Sequence, residues 1–264
     1  MSGYFGTEEQ QRLQQLAETS AAEIAGTPGA CQIGRIMGCD DPDRLGWDKI
    51  DQILDRDGVF AFRLIPLEKI DGIRARLAAR NFRLDVWDLF IGERARALPL
   101  SEAIVANGLP PGMVDLDEPV DPEGEHTRSI QGLISRSGIV PFSGSFLTGG
   151  FGPSTTVSVG DENGNTVSVA HGYLPHNRHS PWHSHGWGGL VAVDQVARGK
   201  GLGNHVNAMM IVRVFRKLGA SHIYELVSAS NEASRRMVRS CGLEHVPSLT
   251  CGIAIAEDRE RFTR

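Results

Sequence analysis

The sequence predicts an α/β fold, and three observations carry that expectation. Segments with apolar residues at helical spacing alternate with short β-branched and aromatic runs along most of the chain. A stretch rich in proline and acid, Gly108–Pro122 (GLPPGMVDLDEPVDP), divides an N-terminal α/β region, 1–110, from a second unit, 111–264. Within that unit a strand runs through a glycine-rich turn straight into a long amphipathic helix.

Composition narrows the class. The 264 residues are enough to bury a core, and a chain that is 41% hydrophobic and 22% charged is not a disordered polyelectrolyte. A net charge of −5 speaks against general binding to nucleic acid or anionic membranes. No apolar run approaches the ~20 residues of a membrane helix, and the opening MSGYFGTEEQQRLQQ lacks the apolar core of a signal peptide. The cysteines Cys31, Cys39, Cys241 and Cys251 form no CxxC pair and no zinc-ribbon spacing. A reduced, cytoplasmic protein is the expectation. Glycine is over-used, with 31 residues against an average near 7%, which implies many turns or a loop whose backbone approaches a ligand.

In the first region, Thr7 to about Ala25 is rich in helix formers and opens with a TxxQ capping box. A second helix is expected over Trp47–Asp55. GVFAFRLIP (Gly58–Pro66) reads as a strand closed by proline, Glu68–Arg80 as a helix, FRLDVWDLFIG (Phe82–Gly92) as a strand, and Ser101–Asn107 as a short helix.

The second unit continues with a short strand at Met113–Leu116, a helix over Glu125–Ser135 and another around Pro141–Leu147. Two β-rich runs, Thr155–Gly160 and Asn165–Leu174, are joined by DENG, a hairpin turn. Gly188–Val193 is a strand. Leu202–Leu218 is a helix with Val206, Met210 and Val214 on one stripe. Ser221–Ser230 is a strand, Asn231–Cys241 a helix stopped by Gly242, and Leu243–Ala256 is expected to hold two short strands.

The turn RGKGLG (Arg198–Gly203) is the most informative motif. A glycine-rich turn at a helix N-terminus presents unpaired N–H groups and the positive end of the macrodipole, and so suits phosphate. Gly199, Gly201 and Gly203 allow close backbone approach, and Arg198 and Lys200 add charge. A P-loop is excluded because GxxxxGK[ST] does not occur here. The dinucleotide pattern fails because Val206 stands where its third glycine belongs. A turn with no ligand is the plain alternative.

VAVDQVARGKGLG, followed about thirty residues later by NEASRRMVRSCGLE, resembles the GNAT superfamily of acyl-CoA-dependent N-acetyltransferases over roughly the C-terminal 150 residues. The family's [Q/R]xxGxG pattern is met by Arg198, Gly201 and Gly203, and its helix asparagine and closing Gly-Leu by Asn231 and Gly242-Leu243. The resemblance implies a GNAT-type mixed central sheet flanked by helices, preceded by the N-terminal α/β extension. It implies acetyl-CoA as cosubstrate, no metal, and a small-molecule or amino-acid-like amine as acceptor. It also implies that the N–H groups of Arg198, Gly199, Lys200, Gly201, Leu202, Gly203 and Asn204 hold the pyrophosphate. The main chain of Val191 and Val193 would pair with the pantetheine arm, on a strand expected to splay from the next, and Asn231 and Ser234 would contact the cofactor. A backbone N–H near Val193 is the implied oxyanion donor. The family's usual acid, a tyrosine seven residues after the asparagine, is replaced by Val238.

No motif fixes the base. Glu225, in the middle of the apolar strand HIYELV, is costly if buried unpaired, and a structural salt bridge is its other reading. His171, Tyr173, His183 and His185 are the remaining candidates, the histidines for their pKa near 6.5. Five of the nine histidines, with Trp182 and Trp187, fall in HGYLPHNRHSPWHSHGWGG; a polar loop without metal is the plain reading, a transition-metal site the sharp one. A non-catalytic CoA-binding regulatory module is the alternative to an enzyme, and a homodimer is left open. The N-terminal region is expected to shape the acceptor site or an interface, with Arg63, Asp85, Trp87 or Asp88 contacting a charged substrate.

Overall fold

The computed structural model describes residues 2–263. Its N-terminal half contains α1 (Glu8–Thr19), α2 (Ala21–Gly26), β1 (Ala30–Gln32), β2 (Met37–Cys39), α3 (Pro42–Leu45), α4 (Trp47–Asp57), β3 (Val59–Pro66), α5 (Ile70–Ala78), β4 (Phe82–Glu93) and α6 (Arg94–Ala106). The remainder contains β5 (Met113–Leu116), α7 (Glu125–Arg136), α8 (Gly144–Leu147), β6 (Ser154–Asp161), β7 (Thr166–Tyr173), β8 (His185–Val193), α9 (Leu202–Arg216), β9 (His222–Val227), α10 (Glu232–Ser240) and β10 (Glu244–Ala256).

Local signals locate most of these elements. The Thr7 hydroxyl accepts from the Gln10 amide while the Gln10 side chain accepts from Thr7 N–H, the reciprocal cap expected of TxxQ. Four expectations are corrected. The first helix breaks at Ser20 into α1 and α2. The helix after β4 begins at Arg94, well before Ser101, and carries Pro99 in its first turns. The segment Pro141–Leu147 contains only the single turn α8. The chain ends in one strand, β10, rather than two; its pairing with β4 is interrupted between His245 and Thr250, around Pro247, which has no N–H to give a ladder.

All ten strands form one sheet in the order β1-β2-β3-β10-β4-β9-β8-β7-β6-β5. It is mixed: β2 with β3 and β8 with β9 are parallel, and the other pairs antiparallel. Strand β4 of the N-terminal half lies between β9 and β10, so the two halves of the chain share one continuous ladder. Alternation along β4 gives the layers. Leu84 and Phe90 face the cores under α4, α5, α6 and α9, while Trp87 and Leu89 face those under α1, α7 and α8.

Helix α9 packs so closely on β7 that a Cβ at Gly172 would stand 2.5 Å from Val214 Cγ2. Val214 is fully buried and cannot swing away. Gly172→Ala is therefore expected to cost about 1–3 kcal/mol by overpacking. An unchanged urea midpoint in the variant would count against this packing.

Candidate active site

Strands β8 and β9 pair only over His185–Gly188 with His222–Glu225. Beyond Gly188 and Glu225 they part, and β8 continues to Val193 with its second edge unpaired. Asp194 N–H donates to Val167 O on β7 at 2.8 Å. The strand's alternation then turns the N–H and C=O groups of Val193 and Val191 toward the open side, as an extended amide-bearing ligand requires. A bulge interrupts the β7–β8 ladder between Val169 and His171, and Leu190, in that stretch, has φ +54. A bulge leaves a backbone group unpaired, and here it falls at Leu190–Val191, upstream of Val193.

The opened strands bound two adjoining cavities. One, about 730 Å³, is lined by Val191, Val193, Arg198, Gly203, Asn204, Arg236 and Ser240 among others. The other, about 470 Å³, is lined by Gly188–Val191, Glu225, Ser228, Val238, Trp87, Arg35 and Arg63 among others. Ile139, Val191, Asn231, Ser234 and Met237 belong to both.

At the mouth of the larger cavity the turn before α9 is held open by Gly199 and Gly201, at φ +79 and +80. No protein group caps α9 from Gly201, and the backbone N–H groups of residues 199–204 find no acceptor among the described residues. Gly203 lets the helix start close to β8; its Cβ position is 3.4 Å from Val193 Cγ2. Asn231 Oδ1 accepts from Ser234 N–H at 3.1 Å, so the residue is the N-cap of α10 as well as a wall of both cavities. Of the arginines on α10, Arg235 is tied to Asp88 and Arg239 lies over Phe90, which leaves Arg236 on the cavity.

Glu225 is buried on the wall of the smaller cavity. Burial pushes its carboxyl up to about 7, and the hydrogen bond from Asn207 Nδ2, at 2.9 Å, only partly offsets this. Asn207, on α9, has no signal in the sequence. The other candidate bases are not brought to this wall. His171 Nδ1 is 2.8 Å from Thr156 Oγ1, and burial drives its pKa down to about 3. Tyr173 Oη donates to Gln32 O at 3.0 Å, and burial pushes its phenol well above the ordinary value, so it stays a neutral donor. His185 stacks on His222 at 4.4 Å, and burial lowers it to about 4. His183 Nδ1 contacts Ser180 O at 3.2 Å.

The histidine-rich loop is largely occupied in joining the halves of the chain. Asn177 Nδ2 donates to the carbonyls of Ile24, Thr27 and Ala30, each at 2.9 Å, and Gln32 N–H donates to Pro175 O at 2.8 Å. His176 is buried between Asp40, at 2.6 Å, and Tyr224, at 3.1 Å. Since a carboxylate only accepts, Nδ1 donates to Asp40 and Nε2 accepts from Tyr224 Oη in the neutral ring. Among the described residues no three His, Cys, Asp or Glu side chains converge in a way that could hold a metal ion. None of their helices is long and apolar enough to cross a membrane.

Residues 145–243 match the family model described as Acetyltransferase (GNAT) family. This part of the chain is a GNAT domain. Its boundaries enclose β6 to α10, and with them the splay, the glycine-rich turn and Asn231. The fold is also similar to solved structures at low identity. A Drosophila protein aligns with a TM-score of 0.61 at 12% identity, covering 95% of this chain and 90% of that one. A GCN5-related N-acetyltransferase from Kribbella flavida aligns at 0.58 and 12%, covering 94% and 96%. A tandem GNAT protein from the clavulanic acid biosynthesis pathway aligns at 0.52 and 12%, covering 85% and 76%. No curated protein matches the chain. The GNAT fold thus extends over both halves.

Of the four N-terminal residues expected to meet a substrate, Arg63 and Trp87 line the smaller cavity. Asp85 and Asp88 are held in ion pairs, Asp85 with Arg83 and Asp88 with Arg235. Arg35, Ser228 and Ser230 also line the cavity, and sequence reasoning did not single them out.

Proposed function

We propose that this chain is an N-acetyltransferase that moves an acetyl group from acetyl-CoA to the amine of a small molecule by direct attack. The parting of β8 from β9 beside Glu225, leading to the uncapped turn at Gly201, carries the reading. The N–H groups of Arg198 through Asn204 would bind the pyrophosphate, and Arg198 and Arg236 are the cations nearest at hand on that cavity. Val191 and Val193 would pair with the pantetheine arm, with Asn231 and Ser234 beside it. The thioester carbonyl would then lie against the bulge at Leu190–Val191.

In the smaller cavity Glu225 is the base. Its pKa near neutrality suits removal of a proton from the attacking amine. The nitrogen bonds to the acetyl carbon, the C–S bond breaks, and the thiolate takes up a proton. Val238 cannot supply that proton; the hydroxyls of Ser228, Ser230 and Ser234 on the same cavity can relay one. The N-terminal half would shape the acceptor end, through Arg63 and Trp87.

Calorimetry with coenzyme A, and thiol release from acetyl-CoA over an amine panel, test the reading. Binding with thiol release supports transfer, whereas binding without release for any amine would favour the non-catalytic CoA-binding module. His183→Ala and His185→Ala are expected to lose less than about tenfold in kcat/KM, because neither residue lines the cavities. A larger loss in either would move the base to the histidine loop.

A further inference from the structure

Arg63 stands in the middle of the apolar strand β3 and is buried, as is Arg35. Nε and Nη1 of Arg63 have no hydrogen-bond partner, and neither guanidinium forms an ion pair with any of the described residues. Arg35 donates to Val140 O and lies over the Phe142 ring at 5.3 Å. The two cations are close enough that Arg63 helps burial to lower the pKa of Arg35 to about 10. Both line the cavity that holds Glu225, the one acid on its wall. Asp40, a buried acid on the same side of the molecule, is engaged by His176.

The backbone is bent to bring this about. Cys251 of β10 faces both Arg63 and Leu64, a bulge in the β3–β10 ladder, and Leu64 takes φ +52, with its N–H left to donate to the Cys251 thiol at 3.2 Å. Strand alternation puts Arg63 on the side of Ala61 and Trp87, under α1, α7 and α8, whereas Glu225 faces α9. The cavity therefore passes through the splayed sheet, from the base on one side to paired guanidinium groups on the other.

Two buried cations without a counter-ion are costly, and removing such groups commonly stabilises a protein. Their planar donors match a carboxylate. We propose that the acceptor is a small amino carboxylate whose carboxylate is bound by Arg63, with Arg35 beside it, while its amine reaches toward Glu225. This rests on the acetyl-transfer reading above. No atom of the transfer changes: the carboxylate only anchors, and the amine nitrogen attacks the thioester as before.

The test is binding to the CoA-loaded protein. The proteinogenic amino acids and their C-terminal amides are titrated by calorimetry and by the fluorescence of Trp87 and Trp187, which line the cavity. At least one amino acid is expected to bind about 10²-fold more tightly than its amide. Arg63→Met should abolish that preference, leave coenzyme A affinity unchanged and raise the Tm of the unliganded protein; Arg63→Lys should retain part of the preference. The proposal is overturned if no acid binds better than its amide, or if Arg63→Met binds the acid as tightly as the wild type. Succinyl-CoA and malonyl-CoA, compared with acetyl-CoA, form the second arm. If Arg63→Met alters only their binding, the carboxylate belongs to the acyl donor and the acceptor assignment falls. Acid binding that depends on Arg63 without thiol release would remove the transfer reading and leave this site standing.

Discussion

Gly201→Val is expected to lower coenzyme A affinity by about 10²-fold or more while the protein stays folded. At φ +80 the residue opens the turn from which α9 starts, and the N–H groups around it have no acceptor among the described residues. A Cβ there would meet no protein atom within 4 Å, so what the valine obstructs is the ligand. Hydrogen bonds to a charged group contribute about 1.5–3 kcal/mol each, and losing one or two of them accounts for the expected factor. Holding a β-branched residue at positive φ costs roughly 1–2 kcal/mol, well below the 5–15 kcal/mol that keeps a domain folded. Circular dichroism should therefore be unchanged and Tm only moderately lower. Unaltered affinity in a folded variant would remove the phosphate from this turn.

Glu225→Gln should reduce kcat/KM by about 10²–10⁴-fold, the usual contribution of a positioned base. It should also remove the rise of wild-type activity with pH through about 7, where the Glu225 carboxyl ionises. The stability effect has the opposite sign. Burial raises the carboxyl in the folded state above its ordinary value of 4.5, so folding favours the protonated form. That contribution is fully present below the unfolded pKa and is lost as pH rises through about 7, to the order of 3 kcal/mol. Above pH 7 the glutamine variant should be the more stable protein, and near pH 4 the two should converge. A pH–activity profile in the variant that still rises through 7 would assign the titration to the amine or to another group.

Much of the glycine-rich end of the candidate site is legible in the sequence because the contacts that build it are local. RGKGLG has glycines where the chain must turn at positive φ, and it stands directly before an amphipathic helix. Asn231 and Gly242 bracket α10 as cap and stop, with Gly242 at φ +88. Glu225 attracts notice as an acid in an apolar strand, and Arg63 is the same kind of exception in VFAFRLIP. Such signals do not say what the group faces. Glu225, His171, Tyr173, His183 and His185 are all acid–base groups by type; only packing against α9 puts Glu225 on a cavity and commits Tyr173 to Gln32, His171 to Thr156 and His185 to His222.

By itself the sequence determined the alternation of elements, the glycine-rich turn before α9 and the resemblance to the GNAT family that the match over residues 145–243 bears out, since periodicity, caps and turn residues act over a few positions. Only the tertiary structure decided that β4 lies between β9 and β10, that the final strand is single, and that the histidine-rich loop fastens the N-terminal half through Asn177 and His176. The neighbours of β4 are chosen by contacts between residues more than a hundred positions apart. The alternation of β4 marks it as a strand facing two cores, and nothing in that pattern names the strands beside it. Arg35 shows the same limit at the level of a side chain. It follows β1 in a short connection with no motif around it, and it becomes part of a site only because folding sets it beside Arg63 in a cavity reached through the sheet.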